Sequence, residues 1–185
     1  VNPAASVKGP RYSATKGKTP VLSGEEARLL LDSIDVTSIV GLRDRALIGL
    51  MVYSFARIGA ALAMNGEDYF VQGKRFWFRL HEKGGKRHEV PVHHKAEEYL
   101  DAYLSAAGTT AKLPLFRTLD RRRQLTDRRM QRREALAMIK RRCRRAGLPA
   151  TICCHTFRAT GITAYLLGGG SLEHAQRIAA HESPR

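Results

Sequence analysis

The chain has 185 residues, of which 32 are Lys or Arg and 17 are Asp or Glu, giving a net charge of +15. This length corresponds to one domain with at most a small appendage. A hydrophobic content of 43% is enough for a packed core and excludes a disordered tail. No apolar stretch approaches the roughly 20 residues of a membrane span. Three cysteines, two of them adjacent, do not fit a secreted disulfide framework and favour a cytosolic protein.

The positive charge is concentrated between Lys112 and Arg145. These 34 residues contain 14 Lys or Arg and three Asp or Glu, a net charge of +11. Such a segment repels itself unless it faces a polyanion, and nucleic acid is the first candidate because phosphate contacts release counterions. An anionic membrane surface and a simple solvated face are the alternatives. Arginine predominates over lysine here, and since its fork binds phosphate bidentately, the composition favours nucleic acid.

The first half of the chain predicts a linker, three helices and a small sheet. Residues 1–20 are rich in Pro, Gly and basic residues, which indicates a linker from an upstream domain of a longer protein. A capping box at Ser23 to Glu26 opens the first helix. The second, about 42–55, is apolar on nearly all sides and is expected to be central and buried. A short helix at 58–64 follows, and then three strands at 68–72, 75–82 and 87–92 that form an antiparallel meander.

The second half predicts only helices, at about 95–107, 129–146, 156–167 and 171–180. In the basic helix 129–146, the spacing of Leu136, Ile139 and Cys143 predicts the face that packs inward, with arginines around the rest. The expected fold class is therefore α+β: mainly α-helical, with a small three-stranded antiparallel sheet on one side.

Several chemistries are excluded by the absence of their motifs. The chain has no Gly-x-x-x-x-Gly-Lys-Ser/Thr phosphate loop, and its carboxylates are not clustered as a two-metal nuclease requires. Cys153, Cys154 and His155 lack a second ligand pair at zinc spacing. We therefore expect neither a metal nor a cofactor.

Cationic and imidazole side chains instead occur where predicted elements begin or end. Arg57 follows the buried helix, where an arginine is costly unless an anion or a carboxylate meets it. Lys83 occupies a hairpin tip, and His181 follows the last helix. His155 and Arg158 open a helix and can face one anion at its positive end. Taken singly, each also fits a structural role, such as an ion pair, a turn, a helix cap or a surface group.

Together these residues resemble the motifs of tyrosine recombinases, the phage integrase family, over about residues 20–185. Arg57 in Ala-Arg-Ile-Gly is similar to the first catalytic Arg motif, and Lys83 in Glu-Lys-Gly-Gly-Lys to the hairpin Lys. His155 and Arg158 form a His-x-x-Arg box, and His181 after Ala180 corresponds to the Gly-His that follows the next helix. All four motifs occur in the family's order.

The resemblance implies a catalytic domain at 21–185 of the DNA breaking-rejoining type, preceded by the linker 1–20 from a core-binding domain. It implies site-specific cutting and rejoining of double-stranded DNA through a 3′-phosphotyrosyl intermediate, without metal or ATP, by a homotetramer on paired sites. The setting would be a bacterial cytoplasm, in association with the nucleoid, as for enzymes of mobile elements. By analogy, two arginines clamp the scissile phosphate, His155 is the base, Lys83 protonates the leaving oxygen and His181 binds the phosphate.

Two departures from the family pattern stand out. Ala60 occupies the place, three residues after Arg57, where the family usually has an acid. The nucleophilic Tyr is expected about nine residues after His181, whereas the sequence ends at Arg185. The six tyrosines all lie upstream and do not fit the motif (Tyr12, Tyr53, Tyr69, Tyr99, Tyr103 and Tyr165). We therefore expect a fragment that is truncated before its nucleophile and inactive alone.

Further basic residues are expected to contact the DNA backbone and so to position the duplex without reading its sequence. They are Lys86, Arg87, Arg121, Arg122, Arg123, Arg141, Arg142, Arg144 and Arg145. The main alternative is a catalytically dead recombinase remnant or regulator that only binds DNA. A type IB topoisomerase fits the sheet-to-box spacing less well. An RNA-binding module would show more exposed aromatics, and a membrane-surface protein would need a bulky aromatic face on the basic helix.

Overall fold

A computed structural model describes residues 19–82 and 85–180. Within these residues it contains seven α-helices, one three-stranded sheet and one two-stranded sheet. The helices are α1 (Gly24–Asp32), α2 (Ile39–Ser54), α3 (Ile58–Ala63), α4 (His94–Ala107), α5 (Arg132–Arg145), α6 (Cys154–Leu167) and α7 (Leu172–Ile178). The strands are β1 (Tyr69–Gln72), β2 (Arg75–His81), β3 (Arg87–Pro91), β4 (Arg117–Leu119) and β5 (Leu125–Arg129).

Helix α2 is the centre of the molecule, as its apolar sequence predicted. It begins three residues earlier than expected because the Ser38 side chain caps it, accepting a hydrogen bond from the Gly41 amide. Helices α4 and α6 pack against it. A Cβ at Gly161 of α6 would lie only 1.9 Å from the Val52 carbonyl oxygen. The two helices therefore cross at a distance that only glycine permits, which brings the start of α6 to the end of α2.

The antiparallel meander β1-β2-β3 is confirmed, and the α+β fold class with it. Phe78 of β2 is paired with Tyr69 on one side and Val90 on the other. Phe78, Leu80 and Val90 are buried, so one face of the sheet covers the helical core. The opposite face of the meander carries Trp77, paired with Phe70 and Pro91, beside the ion pair of Arg79 and Glu89.

The β4–β5 hairpin was missed by the sequence reasoning, which placed a basic loop there. Two of its arginines are structural rather than free surface charges. Arg117 is buried and donates to the Ala107 carbonyl, and Arg129 donates to the carbonyls of Leu62 and Met64. Because these guanidinium groups satisfy the carbonyl ends of α3 and α4, part of the basic segment is structural.

The inward face of α5 differs from the prediction at one position. Ile139 and Cys143 are buried as expected. Ala135, Met138 and Arg142 are buried with them, and these five residues define the inward face of α5. Leu136 is 39% exposed, so its assignment to the core was wrong. The face centred on Ile139 extends one turn back to Ala135, and Leu136 lies beyond its edge.

The remaining elements agree with the predictions within a few residues. Helix α6 begins at Cys154 rather than at 156, and α7 is shorter than expected. Nearly all of the predicted linker 1–20 lies outside the described residues. Among the residues that are described, no helix is long and apolar enough to cross a membrane.

Candidate active site

An open groove of about 2070 Å³ runs between the start of α3, the meander, the start of α6 and the end of α7. Three of the five predicted catalytic residues, Arg57, His155 and Arg158, line this one groove. They come from segments about 100 residues apart in the sequence, so the fold itself brings them together. Lys83 and His181 lie outside the described residues.

Arg57 is placed by the turn between α2 and α3. Phe55 ends α2 in the left-handed conformation (φ 54°), which is uncommon for a residue other than glycine, and Arg57 is the N-cap of α3. Its side chain is 45% exposed, and Nη1 donates to Oε2 of Glu82 at 2.9 Å. The expectation that a carboxylate or an anion must meet Arg57 is therefore confirmed, with Glu82 as the carboxylate.

Arg158 is buried, although taken alone it also fitted a solvated surface position. Its guanidinium donates to the carbonyl of Phe55, at the end of α2, and to that of Ala179, just after α7 (2.6 Å). Burial, followed by the positive charge of Arg57, lowers the pKa of Arg158 to about 10, while Glu82 opposes the shift. Arg158 thus remains charged at neutral pH and is held rigidly at the wall of the groove.

His155 lies in the first turn of α6, one turn before Arg158. Its ring is only partly covered, and burial lowers its pKa below the usual 6.5, with Arg158 and Arg57 acting in the same direction. The imidazole is therefore neutral at pH 7, and a neutral ring has one nitrogen that can accept a proton. The turn is stabilised by Thr156, whose hydroxyl accepts a hydrogen bond from the Cys153 amide at 3.1 Å.

Two contacts that sequence reasoning missed fix the end of α7. The His88 ring nitrogen Nε2 lies 3.1 Å from the Ile178 carbonyl oxygen, and Arg158 binds the next carbonyl, that of Ala179. The last turn of α7 is therefore tied both to β3 and to α6. No sequence pattern signals such contacts, because each partner is a main-chain carbonyl.

Arg132 is a further cation of the groove that sequence reasoning counted only as part of the basic segment. It begins α5 and lies over the start of α3, where a Cβ at Gly59 would be 2.3 Å from Arg132 Nη2. The signal available in the sequence was Gly59, two residues after Arg57, because a glycine there marks the close approach of a neighbouring side chain. Among the described residues, no three His, Cys, Asp or Glu side chains are arranged to hold a metal ion.

The predicted DNA-contacting residues are divided between two places. Lys86 and Arg87 line the groove. Residues 121–123 form the turn of the β4–β5 hairpin, and Arg144 and Arg145 are exposed on α5. Neither the hairpin turn nor these two α5 arginines line the groove. Arg122, Arg123 and Arg145 instead border a separate depression of about 520 Å³.

Arg142 does not fit the predicted role of a phosphate ligand. It is 6% exposed, and its Nε and Nη2 donate to Oδ2 of the fully buried Asp44 at 2.9 and 2.7 Å. Arg43 donates to the other oxygen of the same carboxylate, and Arg141 reaches it at 3.3 Å. The prediction placed Arg142 outside the inward face defined by Leu136, Ile139 and Cys143. Its buried partner, Asp44, lies 98 residues away in the sequence.

Comparison with known proteins agrees with this arrangement. The Phage integrase family matches residues 20–185. The chain belongs to this family. It is 30% identical over 98% of its length to the tyrosine recombinase XerC of Syntrophus aciditrophicus, covering 58% of that protein. It is 32% identical over 88% of its length to XerD of Corynebacterium glutamicum, covering 53% of that protein. The chain thus spans a little over half the length of the curated relatives it matches.

Solved recombinases have the same fold. XerA matches 90% of this chain and 58% of its own, with a TM-score of 0.71 at 25% identity. The recombinase XerH, solved with its difH substrate in a post-cleavage complex, matches 97% of this chain and 51% of its own, with a TM-score of 0.76 at 21% identity. A lambda integrase solved as a tetramer on a Holliday junction matches 94% of this chain and 50% of its own, with a TM-score of 0.67 at 18% identity.

Proposed function

We propose that this integrase-family domain catalyses site-specific cutting and rejoining of double-stranded DNA. The observation that carries the proposal is the convergence of Arg57, His155 and Arg158 in one open groove. Two of these groups are guanidinium ions, and Arg158 faces carbonyls rather than a carboxylate, so the groove keeps an excess of positive charge. A duplex phosphate is the ligand that such a groove fits best.

The reaction that fits these residues begins with attack of a Tyr oxygen on a DNA phosphodiester. An O–P bond to Tyr forms, the bond from phosphorus to the 5′-oxygen breaks, and the resulting 3′-phosphotyrosyl link conserves the energy for rejoining. Negative charge grows on the non-bridging oxygens, where Arg57 and Arg158 would stabilise it. Arg158 needs little reorganisation, since two carbonyls already hold it.

Proton transfer completes the step. The phenol, with a pKa near 10, must lose its proton at neutral pH. The lowered pKa of His155 keeps its ring neutral and able to accept that proton. The roles of Lys83, as the acid that protonates the 5′-oxygen, and of His181, as a phosphate ligand, rest on the family resemblance. Side chains supply all the positive charge in this scheme, and neither metal nor ATP takes part.

The setting follows from the family. Residues 21–185 would be the catalytic domain, and 1–20 a basic linker from a core-binding domain. Paired recombination sites would be bound by a homotetramer in the bacterial cytoplasm, as a nucleoid-associated enzyme of a mobile element. The sequence as given would be inactive in cleavage, because its tyrosines all precede His181.

The first test is to read the coding DNA beyond the codon for Arg185. We expect a Tyr codon within about ten positions, and the chain extended through it should become covalently attached to a nicked duplex. The matched control is the same extended chain carrying Arg57→Ala, which should bind the duplex without attachment. A stop codon directly after Arg185, with duplex binding but no covalent product, would overturn the enzymatic proposal in favour of a DNA-binding remnant or regulator.

A further inference from the structure

The acid that the family usually places three residues after the first arginine is absent here. Ala60 occupies that position, is buried and lines the groove beside Arg57. A half-exposed guanidinium on a short helix has many rotamers, and its use as a phosphate clamp requires one of them to be selected. The side chain that selects it must therefore come from another element.

Glu82, just after β2, provides this contact. Its side chain is only 10% exposed, and its Oε2 lies 2.9 Å from Arg57 Nη1. Its backbone is fixed as well, because the Glu82 amide donates to the Lys86 carbonyl at 2.8 Å and so closes the base of the β2–β3 turn. A mostly buried carboxylate on a fixed main chain can impose one orientation on Arg57.

The contact leaves Arg57 able to bind a phosphate. A guanidinium has five N–H donors, and the hydrogen bond to Glu82 uses one of them, from Nη1. Nearly half of the Arg57 side chain remains exposed to the groove. The negative charge of Glu82 also acts on Arg158, favouring its charged form against the effects of burial and of Arg57. One carboxylate therefore contacts Arg57 and acts electrostatically on Arg158.

We propose that Glu82 is the positioning residue for Arg57, replacing from the β2–β3 hairpin the acid that position 60 lacks. This inference rests on the proposed function of the groove. The orientation of Arg57 then depends on the position of the β2–β3 hairpin, which also carries residue 83. A glutamate in a protein groove that binds DNA repels the phosphates of the duplex. Here that unfavourable repulsion is offset because the carboxylate orients a cation.

The decisive readout separates DNA binding from DNA cleavage. In the extended chain, Glu82→Gln keeps the shape of the side chain and removes its charge. We expect cleavage of a nicked duplex to fall about 10²-fold, the effect of a misplaced reacting geometry. Affinity for the duplex should stay equal or rise, because a negative charge leaves the groove. Equal cleavage by Glu82→Gln and the unchanged protein would overturn the proposal.

Two further variants test whether the charge is what matters. Glu82→Asp keeps the charge and should retain more cleavage than Glu82→Gln; equal losses would count against positioning by charge. Ala60→Glu in the Glu82→Gln background returns the acid to the family's usual position and should restore most of the cleavage. Glu98→Gln is the control, since Glu98 pairs with Lys95 at 2.7 Å on an exposed part of α4 outside the groove, and its cleavage should be unchanged.

A measurement on the chain as given keeps this inference separate from the proposed function. Nitrogen-15 NMR of the arginine side chains reports hindered rotation of an ion-paired guanidinium. We expect a slowly rotating Arg57 signal that averages in Glu82→Gln and persists in Glu98→Gln. If the extended chain does not cleave DNA, the proposed function fails while this signal still reports on the ion pair. A freely rotating Arg57 in the unchanged chain would overturn the positioning role.

Discussion

Asp44 and Glu82 each accept hydrogen bonds from arginine, but they differ in the exposure of those arginines to solvent. Asp44 is fully buried between α2 and α5, and it accepts from Arg43 and Arg142, which are themselves buried. Glu82 lies at the edge of an open groove, and Arg57 beside it is nearly half exposed. A carboxylate paired with arginine thus stabilises the core in one place and leaves a cation accessible in the other.

The other partners of each arginine's N–H donors explain why one cluster is structural and the other can bind an anion. Arg43 uses its second amino group on the Arg117 carbonyl, so the Asp44 cluster joins α2, β4 and α5. In the groove, Arg158 is satisfied by two carbonyls, which fix its position without neutralising its charge. Positive charge that is positioned but not neutralised can bind an anion, whereas the charge around Asp44 holds the protein together.

The largest expected effect is on stability at the buried cluster. Asp44→Asn removes the charge that several arginines share, and breaking a buried ion pair costs about 3–5 kcal/mol. We expect a loss of that order in the free energy of unfolding, measured by urea denaturation. Asp127→Asn is the matched control: it pairs with Arg117 at 3.4 Å but is 80% exposed, and should change the free energy by less than about 1 kcal/mol. Similar losses in both variants would contradict the comparison.

The second effect is on catalysis in the groove. Arg57→Ala in the chain extended through its downstream codons should lower DNA cleavage by about 10²–10³-fold, as for the loss of one donor to a transition-state oxygen. Its free energy of unfolding should change by less than about 1 kcal/mol, because Arg57 is half exposed. Covalent trapping and urea denaturation of the same preparation measure both quantities. A variant that cleaves normally but unfolds easily would place Arg57 with the structural arginines.

The sequence was sufficient for the helices and the three-stranded meander, but not for the β4–β5 hairpin, and it was sufficient to single out Arg57, His155 and Arg158. The buried helix α2, the meander and the pairing of His155 with Arg158 all follow from local patterns. Glu82 and Arg142 could not be assigned in this way, because what each side chain does depends on a partner 25 or 98 residues away. A charge pattern gives the number of arginines on an element, but only the fold determines which of them meets a carboxylate.

A smaller effect distinguishes two arginines on the same helix, α5. Arg145 is exposed and Arg142 is buried against Asp44. We expect Arg145→Ala to weaken binding to every duplex alike and to lower the slope of log affinity against log salt by about 1. Arg142→Met should leave that slope unchanged and lower the free energy of unfolding instead. Fluorescence anisotropy over a range of salt concentrations, together with urea denaturation, measures both.

The outcome for Arg145 also tests where the duplex lies, because this residue borders the smaller depression rather than the groove. A loss of affinity for one DNA sequence only would indicate base contacts rather than phosphate contacts. An unchanged salt slope would instead place the duplex away from this end of α5, with the groove residues Lys86 and Arg87 as its principal contacts.

The smallest effect is a pH dependence that arises in the groove. Burial and the two arginines lower the pKa of His155 in the folded chain, so below the usual value of 6.5 the unfolded chain binds more protons than the folded one. Stability should therefore decrease as the pH falls from 6.5 toward the lowered pKa, and above 6.5 this contribution should be constant. In His155→Gln the urea midpoint should change less between pH 7.5 and about pH 5.5 than in the unchanged chain. A bound duplex should weaken this pH dependence of stability, because a phosphate beside His155 favours its protonated form and so opposes the lowering of its pKa. Duplex affinity that falls on acidification would therefore contradict the placement of a phosphate between His155 and the two arginines.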